Sequence, residues 1–307
     1  KIDNVENEIF IEPFAGANNI VEMIESISND KFNKWVCFDI SPAENNKVPE
    51  CEVVKRDTIK DFPKGYKVAI TNPPYLAKNS ATRRELEYLG EPYDDLYKKA
   101  LEVMLDNCEY VGAIIPESYI TSGLFHERLD TVISLTCKMF DDTEVPVCLA
   151  LFSPATLSTD FKIYRQDKYI GNYEDLKQYI FTSRYKRNEW KMNDRKGNLG
   201  IICVDNQKEN SIRFVKGALI DEEEIKSTSR AKTRVSGLPK EIDIDEFINR
   251  CNEKIEKYRS KTCDVFLTSF KGLRSDGKYR RRLDFNTAKL IMSTVLEEME
   301  GEKNEGD

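Results

Sequence analysis

The most distinctive chemistry in the sequence belongs to the tetrapeptide Asn72-Pro73-Pro74-Tyr75, which follows a short apolar segment. The two prolines fix the backbone and lack N–H donors, so the turn presents the Asn72 amide oxygen and the Pro73 carbonyl as acceptors. Tyr75 adds a flat ring beside them. Such a set can accept both protons of a planar NH2 group, which frees the nitrogen lone pair for attack on an electrophile. The alternative is a purely structural turn at the end of a strand.

Three carboxylates stand where earlier apolar segments end: Glu12, Asp39 and Asp57. Ligands of open parallel sheets bind beyond the carboxyl ends of the strands, so we expect these side chains to line one crevice. Gly16 would let backbone approach a ligand closely. The first turn, Glu12-Pro13-Phe14-Ala15-Gly16, is acidic and lacks a G-x-G-x-x-G pattern, which favours a ligand with an ammonium or sulfonium over a pyrophosphate. Asp39 stands where nucleotide-binding folds hold ribose hydroxyls, and Asp57 could accept from an exocyclic amine.

Apolar segments and helical spacings alternate through the first half of the chain. The sequence predicts strands at 8–11, 35–38, 53–54, 68–71 and 110–115, with helices after the first strand and before the fifth. This alternation implies βαβ units and an α/β fold with a mostly parallel central sheet. The segments 132–138 and 147–152 are expected to form a closing strand pair.

The second half lacks this regular alternation, and the sequence predicts isolated strands at 199–204, 212–215 and 264–270. Asp276-Gly277 is a hairpin signal, and helices are predicted over 245–258 and 286–299. A chain of 307 residues has room for two domains. We expect a catalytic domain over 1–155 and a smaller α+β domain over 156–307 that ends in an acidic tail, 297–307.

The net charge of −7 is unevenly distributed. Residues 1–160 hold 16 basic against 28 acidic side chains, residues 161–296 hold 30 against 20, and the tail holds one against six. The basic region contains clusters at 184–196, 226–240 and 271–282, interleaved with aromatic residues (Tyr179, Tyr185, Trp190 and Tyr279). This pattern fits contacts to nucleic-acid phosphates, and solvated faces are the alternative for any single cluster.

Other chemistries are disfavoured by composition. The single histidine, His126, rules out a multi-histidine metal site and disfavours a Ser-His-Asp hydrolase; we expect it at a surface or helix-start position in a structural role. Eight cysteines form no CxxC pair, which suits reduced thiols in the core of a cytoplasmic protein. Neither a membrane span nor a signal peptide is visible in the sequence.

The first-turn residues, Asp39, Asp57 and the Asn72–Tyr75 tetrapeptide together resemble the S-adenosylmethionine-dependent amino-methyltransferases. They most resemble the DNA adenine-N6 methyltransferases in which the cofactor motif precedes the catalytic motif and a target-recognition domain follows. The resemblance covers most of residues 8–153, including 114–118 and 140–152. Similar tetrapeptides occur in release-factor glutamine and ribosomal RNA guanine methyltransferases. An RNA or protein-glutamine methyltransferase and a catalytically silent DNA-binding subunit therefore stay as alternatives.

The resemblance implies a Rossmann-like methyltransferase fold, S-adenosylmethionine as cofactor and no metal. The implied cofactor contacts are Glu12, Pro13, Phe14, Ala15, Gly16, Asp39, Asp57 and Asn72. Asn72 and Pro73 would hold the target amine, and Tyr75 would stack on the target base. The chain departs from the family in having Asn18-Asn19 where a glycine-rich end is usual. Only about eight residues precede the first strand, where the family's cofactor-binding segment usually lies, so we expect an N-terminal piece before Lys1.

The implied substrate is double-stranded DNA whose adenine is rotated out of the helix, because a paired and stacked amine cannot reach the tetrapeptide. Phosphate or base contacts are expected from Lys78, Arg83, Arg84, Arg274, Lys278, Arg280, Arg281 and Arg282. The implied setting is restriction-modification or phage defence, with a cognate restriction endonuclease acting on the same site as a further partner.

Overall fold

A computed structural model describes residues 8–27, 34–136, 139, 145–182 and 190–305, and the chain divides into two compact units. The first unit comprises Lys1–Tyr119, Gly123–Ile133 and Val147–Lys162. The second comprises Ile120–Ser122, Ser134–Pro146 and Ile163–Asp307.

The first unit is built on a mostly parallel sheet. Its strands are β1 (Phe10–Glu12), β2 (Trp35–Asp39), β3 (Val53–Lys55), β4 (Val68–Thr71), β5 (Tyr110–Pro116), β6 (Leu129–Ser134) and β7 (Val147–Phe152). They lie in the order β3-β2-β1-β4-β5-β7-β6, with β1 to β5 mutually parallel and β7 antiparallel to β5. The predicted α/β class with a mostly parallel central sheet is confirmed.

Helices cover the apolar faces of this sheet, as expected for parallel strands buried on both sides. They are α1 (Asn19–Ile27) and α3 (Leu96–Asn107), whereas in the short helix α2 (Lys78–Arg83) Ala81 alone is buried. Leu101 and Met104 of α3 and Ile11 and Ile115 of the sheet are fully buried. The predicted closing pair exists, but β6 begins at Leu129 and ends at Ser134 instead of covering 132–138. Cys137 and Lys138 lie outside the described residues.

The second unit combines small sheets with two long helices. It contains β8 (Lys162–Arg165), β9 (Lys168–Asn172), α4 (Tyr173–Lys177), β10 (Lys191–Met192), β11 (Leu199–Ile202), β12 (Arg213–Lys216), β13 (Lys232–Ser236), α5 (Ile244–Thr262), β14 (Thr268–Leu273), β15 (Tyr279–Arg282) and α6 (Phe285–Glu305). Strands β10-β13-β11-β12 form an antiparallel sheet whose apolar side chains share a core with α5 and α6.

Several predictions for this region need correction. The predicted strand 264–270 begins at Thr268, because Cys263 and Asp264 take left-handed backbone angles (φ of 49° and 65°) and form a turn. The segments at 199–204 and 212–215 are not isolated: β11 pairs with both β12 and the unpredicted β13. The hairpin at Asp276-Gly277 is confirmed, with Gly277 at φ +76° between β14 and β15.

The acidic tail is largely helical, since α6 continues to Glu305. Two of its carboxylates pair with bases of α5: Glu298 with Lys254 at 2.5 Å and Glu302 with Arg250 at 2.7 Å. The tail is therefore part of the packed helix pair, and its charge is partly matched there.

His126 is buried at 4% exposure instead of lying at the surface. Its ring packs edge-on against Phe161, with centroids 4.9 Å apart, and against Tyr119 at 6.2 Å. Within the described residues, no helix is long and apolar enough to cross a membrane. The same part of the chain contains no group of three or more His, Cys, Asp or Glu side chains that could hold a metal ion.

Candidate active site

The Glu12 carboxyl lies buried where β1 ends, at 1% exposure. Its Oε1 accepts a short hydrogen bond from the Thr71 hydroxyl and another from the Phe14 N–H at 3.1 Å. Thr71 is the last residue of β4 and immediately precedes Asn72. The two motifs that the sequence singled out are thus joined through one buried hydrogen bond at the carboxyl edge of the sheet.

Burial raises the pKa of Glu12 to about 8, because removal from water disfavours the charged carboxylate, and the negative charge of Asp39 adds to this effect. The hydrogen bonds from Thr71 and Phe14 act in the opposite direction. No cationic side chain of the described residues pairs with this carboxyl. A ligand that brings its own positive charge would supply the missing counterion.

The first turn is held by Asp39 at the end of β2. The Gly16 N–H donates to Asp39 Oδ2 at 2.9 Å, and the Ser41 N–H donates to Oδ1 at 2.7 Å. Gly16 has φ +50°, and a Cβ placed on it would meet no atom within 4 Å. The space beside Gly16 is therefore open to a ligand. A carboxylate has about four acceptor positions, so Asp39 retains capacity for hydroxyl groups.

Asn18 occupies the end of this turn, where the family usually has glycines. It has φ +62°, a left-handed conformation that asparagine tolerates better than most residues, and it is fully buried. Its Nδ2 donates to Asn46 Oδ1 and to the Cys51 carbonyl, both at 2.9 Å. Asn18 therefore ties the first turn to the loop that precedes β3. Sequence reasoning did not identify Asn46 or Cys51, which lie far away along the chain.

Asp57 follows β3 and is half-buried, and its Oδ1 accepts from the Lys60 N–H at 3.2 Å. The neighbouring Thr58 hydroxyl donates to the Pro13 carbonyl at 2.8 Å. This bond joins the loop after β3 to the first turn. The ends of β1, β2 and β3 and their loops consequently form one connected edge, as the sequence predicted.

Asn72 and Tyr75 are in direct contact. The Tyr75 hydroxyl oxygen lies 2.6 Å from Asn72 Oδ1 and 2.5 Å from the Ile114 carbonyl oxygen of β5. Its ring packs edge-on against Tyr97, with centroids 6.1 Å apart. Burial raises the pKa of Tyr75, so the hydroxyl remains a neutral donor.

This arrangement differs from the open one that the sequence predicted. The Asn72 oxygen that should accept a target amine faces the Tyr75 hydroxyl, and the Tyr75 ring is packed inward. The physical reason is that the half-buried Asn72 amide oxygen and the Ile114 carbonyl of β5 both accept hydrogen bonds, and the phenol supplies a donor. In this conformation the Tyr75 hydroxyl occupies one of the two acceptor positions of the Asn72 amide oxygen.

The chain that follows the tetrapeptide leaves the sheet as an excursion over residues 76–95, and hydrogen bonds join the two ends of this segment. The Leu76 N–H donates to Asp95 Oδ1 at 3.0 Å, and Ala77 and Asp95 form an antiparallel bridge. Burial raises the pKa of Asp95, a residue that sequence reasoning missed. The predicted DNA contacts Lys78, Arg83 and Arg84 are all exposed on this excursion, and Lys78 pairs with Glu91 at 2.7 Å.

Several basic side chains of the β14–β15 hairpin already have partners within the protein, so fewer of them are free to contact DNA than the sequence suggests. Arg281 is buried at 3% exposure and donates to the Leu267 carbonyl at 3.3 Å, so its prediction as a DNA contact is wrong for this conformation. Asp276 pairs with Arg274 at 2.8 Å and with Lys278 at 3.7 Å. The Arg280 side chain donates to the Asp205 carbonyl at 2.7 Å and lies over the Phe270 ring.

Arg282 is half-buried, and among the described residues it has no acidic partner. Two other sequence features lie outside the described residues: Tyr185 with Arg184, Lys186 and Arg187 of its basic cluster, and Phe140-Asp141-Asp142.

No protein-family model and no curated protein matches the chain. Among solved structures it is similar to the methyltransferase subunit of a type I restriction-modification system from Streptococcus thermophilus. That match has 14% identity and a TM-score of 0.41 and covers 53% of this chain and 43% of the other. The chain is also similar to the M protein of the type I restriction enzyme EcoKI, at 12% identity and a TM-score of 0.38, covering 98% and 69%.

A third similar structure is a nuclease-deletion mutant of the type ISP restriction-modification enzyme LlaGI in complex with a DNA substrate mimic. It has 12% identity and a TM-score of 0.37, with 54% and 25% of the two chains covered. The chain thus spans less than half the length of the first and the third of these proteins. At such values the likeness concerns the fold alone and says nothing of substrate.

Proposed function

We propose that the chain is an S-adenosylmethionine-dependent methyltransferase that acts on the N6 amine of a flipped-out adenine in double-stranded DNA. The observation that supports this best is the bond between Glu12 and Thr71. It joins a buried carboxyl with no cationic partner among the described residues to the strand that delivers Asn72. A positively charged ligand at Glu12 would then lie at the same sheet edge as the acceptor for an amine.

The donor set of this edge fits S-adenosylmethionine. Glu12 would face the ammonium or sulfonium, with Pro13, Phe14 and Ala15 completing the turn and open space beside Gly16. Asp39 would hold the ribose hydroxyls with the acceptor positions left by Gly16 and Ser41, and Asp57 the adenine amine. The bound cofactor supplies an electrophilic methyl group. No part of the proposal requires a metal.

The tetrapeptide would hold the nucleophile. The Asn72 amide oxygen and the Pro73 carbonyl accept the two protons of the target NH2 group, which makes its lone pair available for direct, in-line attack. Tyr75 turns from Tyr97 and stacks on the target base. Phosphate contacts would come from the basic side chains of residues 161–296 and from the exposed Lys78, Arg83 and Arg84. These contacts would help offset the few kcal/mol that base flipping costs.

The proposed setting is a restriction-modification or phage-defence system, with a cognate endonuclease as a partner. The alternatives from the sequence remain distinguishable by substrate. A glutamine or RNA methyltransferase would use the same acceptors on another planar amine. A silent subunit would bind DNA with the Tyr75 hydroxyl kept on Asn72.

The proposal is tested by tritiated methyl transfer from S-adenosylmethionine to plasmid DNA, structured RNA and a glutamine-containing release factor in competition. We expect label in DNA, and no label with Asn72→Ala at largely unchanged cofactor affinity. Asn79→Ala, an exposed asparagine on α2, is the matched control and should retain activity. Label in RNA or protein alone would replace the substrate, whereas cofactor binding without any transfer would favour the silent subunit.

A further inference from the structure

Much of the positive charge of the second unit is matched within that unit. Among the described residues, four of its arginines have an acidic side chain within 4 Å: Arg234, Arg250, Arg259 and Arg274. The pairs of Arg259 with Asp205 and Asp264 are largely buried. These side chains are poor candidates for contacts with phosphate, because each would have to give up a partner that it already holds.

Two arginines without an acidic partner among the described residues meet in a single cleft. A volume of about 280 Å³ is lined by Arg230, Arg282, Leu283, Asp284, Phe285 and Asn286. The Arg230 guanidinium lies over the Phe285 ring, 5.2 Å from its centroid, and donates to the Ser229 carbonyl at 2.8 Å. These contacts fix its plane and leave other N–H donors available, since a guanidinium carries five.

Asp284, an acidic residue that lines this cleft, already accepts hydrogen bonds from α6. Asp284 accepts from the Thr287 N–H at 3.0 Å and from the Thr287 hydroxyl at 2.7 Å, so its carboxylate caps the start of α6. This cap satisfies the Thr287 N–H, one of the N–H groups at the helix start that have no partner within the helix. Both Thr287 donors are neutral, so the Asp284 charge remains, and the two arginines still outnumber the one acid among the described lining residues.

Backbone bonds hold both arginines on one framework. Cys203 donates its N–H to the Ala231 carbonyl and accepts from the Leu283 N–H, both at 2.8 Å. Val204 and Arg282 form an antiparallel bridge. Cys203, directly after β11, thus connects Ala231, the neighbour of Arg230, to Leu283, the neighbour of Arg282. Arginines placed on fixed backbone lose less conformational freedom when they bind an anion.

We propose that this Arg230–Arg282 cleft binds a backbone phosphate of DNA, an inference that rests on the proposed function. Two planar guanidinium groups can donate several parallel N–H bonds to phosphate oxygens, which is the geometry that arginine provides and lysine does not. The cleft presents both guanidinium groups to one volume, which suits a single phosphate. It would hold the register of the protein on DNA without setting its sequence preference.

The test is the salt dependence of DNA binding by the full chain. Fluorescence anisotropy with a labelled 30-base-pair duplex of random sequence would give log Kobs against log[NaCl]. Arg230→Ala/Arg282→Ala should reduce the magnitude of the slope by about 0.9, the value for one phosphate that is no longer neutralised, and weaken binding roughly tenfold at 100 mM NaCl. Arg250→Ala, whose guanidinium is already paired with Glu246 and Glu302, is the control and should leave the slope unchanged.

Retention of the wild-type slope by a folded double variant would overturn the cleft assignment, as would an equal change in Arg250→Ala. Arg230→Lys/Arg282→Lys should keep most of the slope but bind more weakly, which separates the effect of charge from that of misfolding. Inorganic pyrophosphate should compete with duplex for the wild type only at high concentration; tight pyrophosphate binding would indicate a free-phosphate site instead. A wild type that binds no DNA would contradict the proposed function itself.

Discussion

The Glu12 carboxyl should make cofactor binding depend on pH. Burial raises its pKa to about 8, so in neutral solution most molecules carry the uncharged acid. A ligand with an ammonium or sulfonium group needs the carboxylate, and each binding event below pH 8 must then release one proton. For a pKa of about 8, the ionised fraction rises about 30-fold between pH 5.5 and 7.0, a difference of about 2 kcal/mol at 1.36 kcal/mol per pH unit.

The assay is isothermal titration calorimetry with S-adenosylmethionine from pH 5.5 to 7.0, where an α-amino group of the ligand keeps its charge. Two buffers of different ionisation enthalpy would report the released proton. We expect log affinity to rise by about one per pH unit and close to one proton to be released at pH 6. Glu12→Gln should bind weakly and without this slope, whereas Glu44→Gln, at an exposed acid, should behave as wild type. A flat wild-type profile, or the same slope in Glu12→Gln, would refute the reasoning.

Three other outcomes are expected. Tyr75→Phe frees Asn72 Oδ1 from the phenol but keeps a ring for stacking, so the KM for DNA should fall severalfold, by about the 1 kcal/mol of one hydrogen bond; Tyr75→Ala should raise it instead. Asp205→Asn breaks a buried pair with Arg259 and should destabilise the protein by about 3 kcal/mol or more in urea unfolding; an effect below about 1 kcal/mol would contradict the burial. The free energy of unfolding of the wild type, taken relative to Glu12→Gln, should be highest below about pH 4.5 and fall as pH rises to about 8, because the folded state favours the protonated acid; a difference that does not change with pH would exclude the raised pKa.

The edge of the sheet was predictable because it follows from local pattern. Apolar strands that each end in a polar residue bring those residues to one edge once the strands are parallel, and Glu12, Asp39 and Asn72 lie there. The contacts that complete the edge were not predictable. Asn18 reaches Asn46 and Cys51, which are 28 and 33 residues away, and no periodicity reports such side-chain pairs.

The run Arg280-Arg281-Arg282 shows a second limit. Strand periodicity places residues 280 and 282 on one face and residue 281 on the other, but three identical charges do not reveal which face is buried. The fold decides this, and Arg281 is the buried one. In the same way, the sequence located Tyr75 beside Asn72, but its inward packing depends on the Ile114 carbonyl of a strand that is 39 residues away.

The central claim is that the Asn72–Tyr75 tetrapeptide delivers a methyl group to an adenine amine. The most direct measurement is nucleoside analysis of plasmid DNA after incubation with the protein and labelled S-adenosylmethionine. The expected product is labelled N6-methyladenine, which should be lost with Asn72→Ala and retained with Asn79→Ala. Cofactor binding without labelled N6-methyladenine, or label on another nucleoside, would contradict the claim.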